Sequence, residues 1–436
     1  MKRSFLRGAI SVFSAAALIA APAASVAQQS APLAPPAATA ADPPPRPAPA
    51  RARPDPSTDE GGIWGVADRA EEDARRSAER ISDPGLNAYV ASIACRVAAE
   101  FCGDVRIYLM QRPFYNASMA PNGYMEVWSG LMLRVEDEAQ LAFVLGHEIA
   151  HYDARHSLET LRAMRGRSNA ALAASVAIAV IGAAAAANSP NSAQSIMNAA
   201  GGLIDIAYLG ALASLFGYSR ENETEADAEG FRRIAAAGYD PAAPARQWRL
   251  RIDEVAASDF ERTRREEARA GVFNTHPLNR DRVQALEALA LRAAAVGETG
   301  RARYRAAIRP FLDPWLRDEL RRRDYGQTLF LIERLASAEE DLGVLLFYRG
   351  EAHRLRRGEG DLAHARAAYE SAIQHPDAPP LAWRQLGEIY ERERRAAEAA
   401  ALFRAYLDRA PAASDRLLIE RRIAALEAQA PPGGTP

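Results

Sequence analysis

The sequence of 436 residues contains very little lysine: Lys2 is the only one, and arginine supplies the rest of its basic side chains. It has only two cysteines, Cys95 and Cys102, too few for a scaffold built from disulfides. It also lacks an excess of either charge, since 54 basic and 56 acidic residues leave a formal net charge of -2. This balance argues against a nucleic-acid partner, which normally requires a basic excess on one domain. The length and the apolar half of the composition suit a globular protein of two or three domains.

The spacing of the two cysteines leaves their pairing open. On one unbroken helix Cys95 and Cys102 would lie roughly 10 Å apart, too far for a disulfide. If the helix ends near Glu100, before Gly103, the chain can fold back and the two can pair. Otherwise both are small, buried apolar residues.

The first residues are typical of a secretory signal. A positively charged start precedes an apolar stretch over residues 9–21, which is short for a membrane span. Ser25 and Ala27 are small residues at the positions that cleavage requires. We therefore predict a signal peptide over residues 1–27. The proline- and alanine-rich residues 28–63 predict a disordered linker.

A five-residue pattern carries the clearest chemistry. It reads His147-Glu148-Ile149-Ala150-His151 and lies in a helix predicted to start between residues 135 and 138 and to run through His156. Residues four apart share a helix face, so both imidazoles can bind one zinc ion while Glu148 lies beside the water. A solvated helix face fits poorly, because unpaired polar groups would be costly among the surrounding apolar residues: Leu141, Ala142, Phe143, Val144, Leu145, Ile149 and Ala150.

A catalytic zinc usually has three protein ligands and one open position for water. The third ligand is sought in the acidic stretch after Ser219, where a helix begins that Gly238 is well placed to end. Glu223 and Asp227 are four apart, so one can bind the metal while the other supports a ligand. Spacing alone does not choose between Glu223 and Glu225. Either is also explained as part of an acidic first helical turn.

The rest of the chain predicts a small sheet and many helices. Strands are expected over residues 105–110 and 124–128, and helix pairs recur after residue 301. One stretch matches the tetratricopeptide pattern at Trp383, Leu386, Gly387, Tyr390, Ala399, Phe403 and Pro411. A looser upstream copy needs an insertion around residues 358–361 and uses Gly350, Ala365, Tyr369 and Ala372. The alternative is a generic helical bundle. Either arrangement suits docking better than catalysis.

Two apolar segments, residues 170–187 and 201–218, flank a polar turn. The first is mostly alanine, which contributes little to membrane insertion, and the second contains Asp205. We favour a helical hairpin that covers the active site or touches a membrane surface over a true membrane span.

Several separated motifs accompany the central pattern. Arg155 and His156 follow it, and the signature Ser-Arg-x-x-Glu-x-Glu-Ala-Asp is present in full from Ser219. Ahead of it lie Asn116, Ala117, Pro121, Gly123, Gly130, Leu131 and the segment 138–142. Over about residues 64–295 the chain thus resembles the gluzincin peptidases of the HtpX and CAAX prenyl protease type, especially their periplasmic BepA-like members. In that family the first Glu of the signature is the third zinc ligand, which implies Glu223 here.

The resemblance implies roles for further side chains. The element Thr275-His276-Pro277 is family-like, and His276 can act as a fourth zinc ligand that holds the enzyme latent. It can instead contact the substrate or the oxyanion, or simply cap a helix that starts at Pro277. The side chains expected to support a ligand or contact substrate are Asp227, Asn116, His156 and Arg282.

The predicted fold is α+β and mainly α. A zincin-type metalloprotease domain with a small sheet is expected over residues 64–298. A tetratricopeptide-like helical domain follows over 299–428, and a disordered tail over 429–436. By resemblance, the expected function is a periplasmic endopeptidase with one Zn²⁺ per chain and Glu148 as base.

Its expected substrates are misfolded or stalled envelope and outer-membrane proteins, so its role would be quality control. The repeat domain would dock onto the outer-membrane assembly machinery, and the apolar hairpin would contact a membrane peripherally. The alternatives are an envelope chaperone or scaffold with latent proteolysis, and an integral-membrane protease of the HtpX type. We further expect an extended substrate to pair with the strand at residues 124–128.

Overall fold

The computed structural model describes residues 51–163, 218–266, 280–293 and 296–429. The predicted signal peptide, nearly all of the two apolar segments, and His276 lie outside them. Helix α1, Asp59–Arg76, begins within the stretch predicted as a disordered linker, because the proline-rich composition ends at Pro56 and Thr58 caps the helix. Among the described helices, none is both long and apolar enough to cross a membrane.

The cysteines are joined where helix α2 ends. This helix, Pro84–Val97, is followed by a single 3-10 turn, Ala99–Phe101, which folds the chain back. Cys95 and Cys102 form a disulfide, with their Cα atoms 4.7 Å apart. Pairing is the alternative realised, because the helix stops before Glu100 and brings the two residues within disulfide range.

A three-stranded sheet follows in the order β1-β3-β2. Its strands are β1 (Arg106–Met110), β2 (Ala117–Met119) and β3 (Tyr124–Trp128). The two predicted strands are confirmed, whereas the sequence pattern missed β2. Because β3 pairs in parallel with β1 and antiparallel with β2, both of its edges are bonded. The hypothesis that residues 124–128 pair with substrate is therefore wrong.

Helix α3, Ser129–Arg134, leads into α4, Glu138–Asp153, which carries the central motif. The Asp137 side chain caps α4 by accepting a 2.8 Å hydrogen bond from the backbone of Gln140. The helix ends before His156, earlier than predicted, because Arg155 takes a left-handed conformation with φ of 58°. Residues 156–163 are helical again, so His156 begins a second helical segment after the turn.

Helix α5, Arg220–Ala236, is confirmed as predicted, with a capping box at Ser219 and an end just before Gly238. It crosses α4 closely, where Gly146 faces Gly230. A Cβ atom on Gly230 would lie 3.0 Å from the backbone nitrogen of His147, which is too close for an unstrained crossing. This glycine contact sets the distance at which side chains of α5 meet the histidines of α4.

The remaining described helices form the rest of the domain and the tail. They are α6 (Ala243–Ala256), α7 (Glu261–Glu266), α8 (Arg280–Arg292), α9 (Arg301–Ile308), α10 (Leu312–Arg321), α11 (Tyr325–Ala336), α12 (Leu342–Arg356), α13 (Asp361–Ala372), α14 (Leu381–Arg392), α15 (Ala396–Arg409) and α16 (Arg416–Gln429).

In the tail, α12 packs with α13 and α14 with α15. A Cβ atom on Gly350 would meet the Tyr369 ring at 2.4 Å, and one on Gly387 would meet the Phe403 ring at 2.8 Å. These are close helix pairs built on the residues that the repeat pattern selected. That they are tetratricopeptide repeats stays a prediction.

Buried ion pairs join the tail to the segment that leads into α4. Arg134 donates to Glu254 and Glu319, each at 2.7 Å, and all three side chains are buried. Glu138, the first residue of α4, accepts from Arg303 at 2.9 and 3.1 Å. Residues of both predicted domains therefore belong to one unit and together fix the start of α4.

Candidate active site

The side chains of the central motif lie deep in the protein. His147 is 4% exposed, Glu148 2% and His151 1%, and Glu223 of α5 is equally buried at 1%. Four ionisable groups at this depth would be strongly destabilising without partners. Their arrangement therefore indicates a site that holds charge.

Three of these side chains converge on one point. The Nε2 atoms of His147 and His151 are 3.1 Å apart, and each lies 3.6 Å from a carboxylate oxygen of Glu223. Tetrahedral ligands around zinc lie about 3.4 Å from one another, given metal–ligand distances of about 2.0–2.1 Å. The set of two nitrogens and one oxygen thus fits a divalent cation, and it is the combination expected from the sequence.

Asp227 and Arg282 flank the three converging groups. The Asp227 carboxylate lies 3.0 Å from Nδ1 of His147, and Arg282 donates to both of its oxygens at 2.7 Å. Arg282 also lies 2.7 Å from Glu223. Burial alone would raise the pKa of Asp227, but the charge of Arg282 and the bond from His147 lower it to about 2. Asp227 is therefore ionised at neutral pH and fixes the imidazole of His147 with its Nε2 turned toward the converging groups.

His156 supports the second imidazole. Its Nδ1 lies 2.8 Å from Nδ1 of His151, and its Nε2 lies 3.4 Å from the carboxylate of Glu225. The sequence predicted that His156 supports a ligand or contacts substrate. In the structure it contacts the imidazole of His151, because the turn at Arg155 folds it back toward α4.

Tyr218 is a member of the site that the sequence did not single out. Its ring stacks on that of His151, with centroids 3.7 Å apart and planes 9° from parallel. Its hydroxyl lies 3.4 Å from the carbonyl oxygen of Met119 and 3.3 Å from the Ser157 hydroxyl. Burial raises the pKa of Tyr218, and the negative charge of Glu148 raises it further, so the hydroxyl keeps its proton and remains a donor. The one feature of the sequence that could have pointed to Tyr218 is its position just before the Ser219 signature.

Asn116 lies immediately before β2. Its carbonyl oxygen accepts a 3.1 Å hydrogen bond from the backbone of Trp128. The predicted contact of its side chain with substrate remains a prediction, as does the role of His276, which lies outside the described residues.

A second group, His353, Asp361 and His364, also places ligand-type atoms within 4.8 Å of one another. Arg356 donates to both oxygens of Asp361, at 2.6 and 2.9 Å, and Gly358 donates its backbone N–H to the same carboxylate. The positive charge of Arg356 opposes a further cation at this place. We interpret the group as a clamp that fixes the start of α13.

Replacing Asp227 by Asn should weaken metal binding about 10- to 100-fold, because the amide no longer orients His147 as a full charge does. The dissociation constant can be measured by competition with a chromophoric chelator at pH 7. Glu221→Gln, at an exposed position of the same helix, is the matched control and should leave affinity unchanged. Equal affinity of the Asp227→Asn variant and the unmodified protein would contradict this role.

A buried helix that offers two imidazoles, with a glutamate beside the first and a carboxylate from a neighbouring helix, is the arrangement expected of a metallopeptidase site. The comparison with known families agrees. Residues 81–290 of the chain match the model of peptidase family M48.

Curated proteins are similar to part of this chain in sequence. The beta-barrel assembly-enhancing protease of Escherichia coli K12 is 27% identical over 39% of this chain and 33% of its own length. A Vibrio cholerae protein that carries the same name is 30% identical over 47% of this chain and 39% of its own. The mitochondrial metalloendopeptidase OMA1 of Schizosaccharomyces pombe is 27% identical over 46% and 51%. The chain thus matches between a third and a half of the length of these relatives.

Proposed function

We propose that the protein is a zinc-dependent endopeptidase in which His147, His151 and Glu223 hold the metal. The observation that carries this proposal is the convergence of the two Nε2 atoms and the Glu223 carboxylate within the distances of one coordination sphere. Glu148 lies between His147 and His151 on the same helix and is not one of the three converging groups.

Bound zinc would lower the pKa of a water molecule and polarise the scissile carbonyl. The protein's own part is the movement of a proton. The Glu148 carboxylate accepts it from the attacking water and gives it to the leaving amine. Asp227 and His156 keep the two imidazoles turned with Nε2 inward throughout the reaction.

The sheet offers a place for an extended peptide. In an antiparallel pair, successive residues alternate between facing the partner strand and facing away. Asn116 and Ala120 bond to β3, so Ala117 and Met119 turn their backbone groups to the opposite edge of β2. Among the described residues no strand pairs with that edge. We propose that substrate adds there, next to α4, instead of at β3.

We further propose that the substrates are misfolded or stalled outer-membrane proteins and that the protein acts in the periplasm. The names of the Escherichia coli and Vibrio cholerae relatives support this assignment. The disulfide between Cys95 and Cys102 supports an oxidising compartment. The helix pairs of the tail would present a docking surface to the assembly machinery, and their fixed attachment to α4 would hold a captured client near the site.

Removal of the metal tests the enzyme and its substrate class together. Treatment with 1,10-phenanthroline should abolish cleavage of an unfolded outer-membrane β-barrel protein, and one equivalent of Zn²⁺ should restore it, because the water is activated by the metal. Cleavage is followed by gel electrophoresis and metal content by mass spectrometry.

The same β-barrel protein folded in detergent micelles is the control and should resist cleavage, because its strands are already paired. Cleavage that survives complete metal removal would overturn the enzymatic proposal. Equal cleavage of the folded and unfolded forms would overturn the substrate class.

A further inference from the structure

Tyr218 connects the metal site with the edge of β2 that faces away from β3. Its ring covers the face of His151, and its hydroxyl points to the carbonyl oxygen of Met119. The phenol therefore spans the space between α4 and the sheet.

The Met119 carbonyl is one of the groups that a substrate would need. It faces away from β3. Asn116 and Ala120 make backbone hydrogen bonds to β3, and residues 117 and 119, which alternate with them, therefore face the other way. A peptide adding to this edge would donate a backbone N–H to it and run about 4.8 Å from β2. The Tyr218 hydroxyl lies 3.4 Å from the same oxygen, so it occupies space that the backbone of the added peptide would need.

We propose that Tyr218 competes with substrate: its hydroxyl takes the Met119 carbonyl in the resting enzyme, and an extended peptide must displace it. This inference rests on the proposed peptidase function. The Ser157 hydroxyl lies 3.3 Å from that of Tyr218 and belongs to neither the edge strand nor the metal site. Tyr218 is thus a positioning residue that sets how readily extended peptides bind.

A direct role of Tyr218 in the chemistry would give different kinetics. If the Tyr218 hydroxyl donated to the oxyanion, its loss would lower kcat by about 10²- to 10³-fold. If it competes with substrate, its loss spares kcat and lowers KM. Only peptides long enough to pair with Met119 should show the gain, whereas a short substrate that spans the scissile bond alone should show none.

Binding can be measured without turnover in a Glu148→Gln background. A fluorescently labelled ten-residue peptide of extended, β-rich sequence should bind the Glu148→Gln/Tyr218→Phe protein about 3- to 10-fold more tightly than Glu148→Gln, since binding no longer breaks one hydrogen bond. Phenylalanine keeps the stacking on His151, and zinc content should stay the same. The matched control is Glu148→Gln/Ser157→Ala, which removes the other partner of the phenol and should change the dissociation constant less than twofold.

The outcomes separate the two levels of inference. Equal peptide affinity with and without the Tyr218 hydroxyl, or a lower kcat for Tyr218→Phe with KM unchanged, overturns the competition while the peptidase remains. A Glu148→Gln protein that binds zinc but no peptide, together with an unmodified protein that cleaves none, overturns the proposed function itself.

Discussion

Replacement of Glu148 by Gln is expected to lower kcat for peptide hydrolysis by about 10²- to 10⁴-fold, the usual contribution of a positioned general base. Glutamine has the same shape, so it fits the buried position, but its amide cannot accept the proton of the attacking water. Zinc content should remain at one ion per chain, because the converging groups are those of His147, His151 and Glu223.

Steady-state cleavage of a quenched fluorescent peptide, with zinc measured by mass spectrometry on the same samples, checks this expectation. Glu225→Gln provides the matched control. Its carboxylate belongs to the same signature and touches His156, yet it is exposed and does not converge on the metal position. We expect its kcat to stay within about tenfold of that of the unmodified protein, as suits a support two steps from the metal. Equal kcat for Glu148→Gln and the unmodified protein would remove Glu148 from its role.

The parts of the site that could be predicted from the residues alone are those fixed by a single helix. His147 and His151 share a face because four residues make about one turn, so their convergence needs no tertiary information. Residue spacing could not decide between Glu223 and Glu225, because that choice depends on how α5 is rotated against α4. The rotation is set by the contact of Gly146 with Gly230, two residues far apart in the chain.

The supporting residues show the same limit more strongly. His156 reaches His151 only because Arg155 takes a left-handed conformation, which no pattern of side chains signalled. Tyr218 reaches Met119 across 99 residues of sequence. Both were present in the sequence as family-like or unremarkable residues, and their contacts follow from the fold.

The sheet illustrates why the substrate edge was misassigned. The strands at residues 106–110 and 124–128 are long enough to show alternation and were predicted. Strand β2 has three residues, all buried, so it has no alternating pattern to recognise. Without it, β3 could be taken for an edge. The order β1-β3-β2 makes β3 central, because β2 bonds to the edge of β3 that β1 does not occupy.

The buried ion pairs of the fold could not be predicted from the sequence either. Arg134 pairs with carboxylates 120 and 185 residues away, so local charge patterns do not reveal it. Burial alone would raise the pKa of Glu254, and Arg134 is the foremost of the arginines that hold it below its ordinary value. The network joins α3, α6 and α10, and it therefore links the approach to α4 with the helices of the tail.

Replacement of Arg134 by Met is expected to lower the free energy of unfolding by about 3 kcal/mol, the lower end of the range for breaking a buried ion pair, because Arg251 and Arg322 still flank the two carboxylates. Methionine fills most of the arginine's volume, so the loss reports charge more than packing. Urea denaturation followed by circular dichroism, analysed for midpoint and slope, measures the change. Arg317→Met removes an exposed ion pair with Asp313 on α10 and should cost less than about 1 kcal/mol.

The pH dependence adds a second signature of the same network. A carboxylate whose pKa is lowered on folding stabilises the protein above its unfolded pKa, and this stabilisation is lost as pH falls through the folded value. In the Arg134→Met protein the pKa of Glu254 should rise. The acid unfolding of this variant should therefore begin at a higher pH than that of the unmodified protein. The Arg317→Met protein should unfold at the same pH as the unmodified protein. Coincident acid unfolding of all three proteins would show that Arg134 does not hold Glu254 in its charged form.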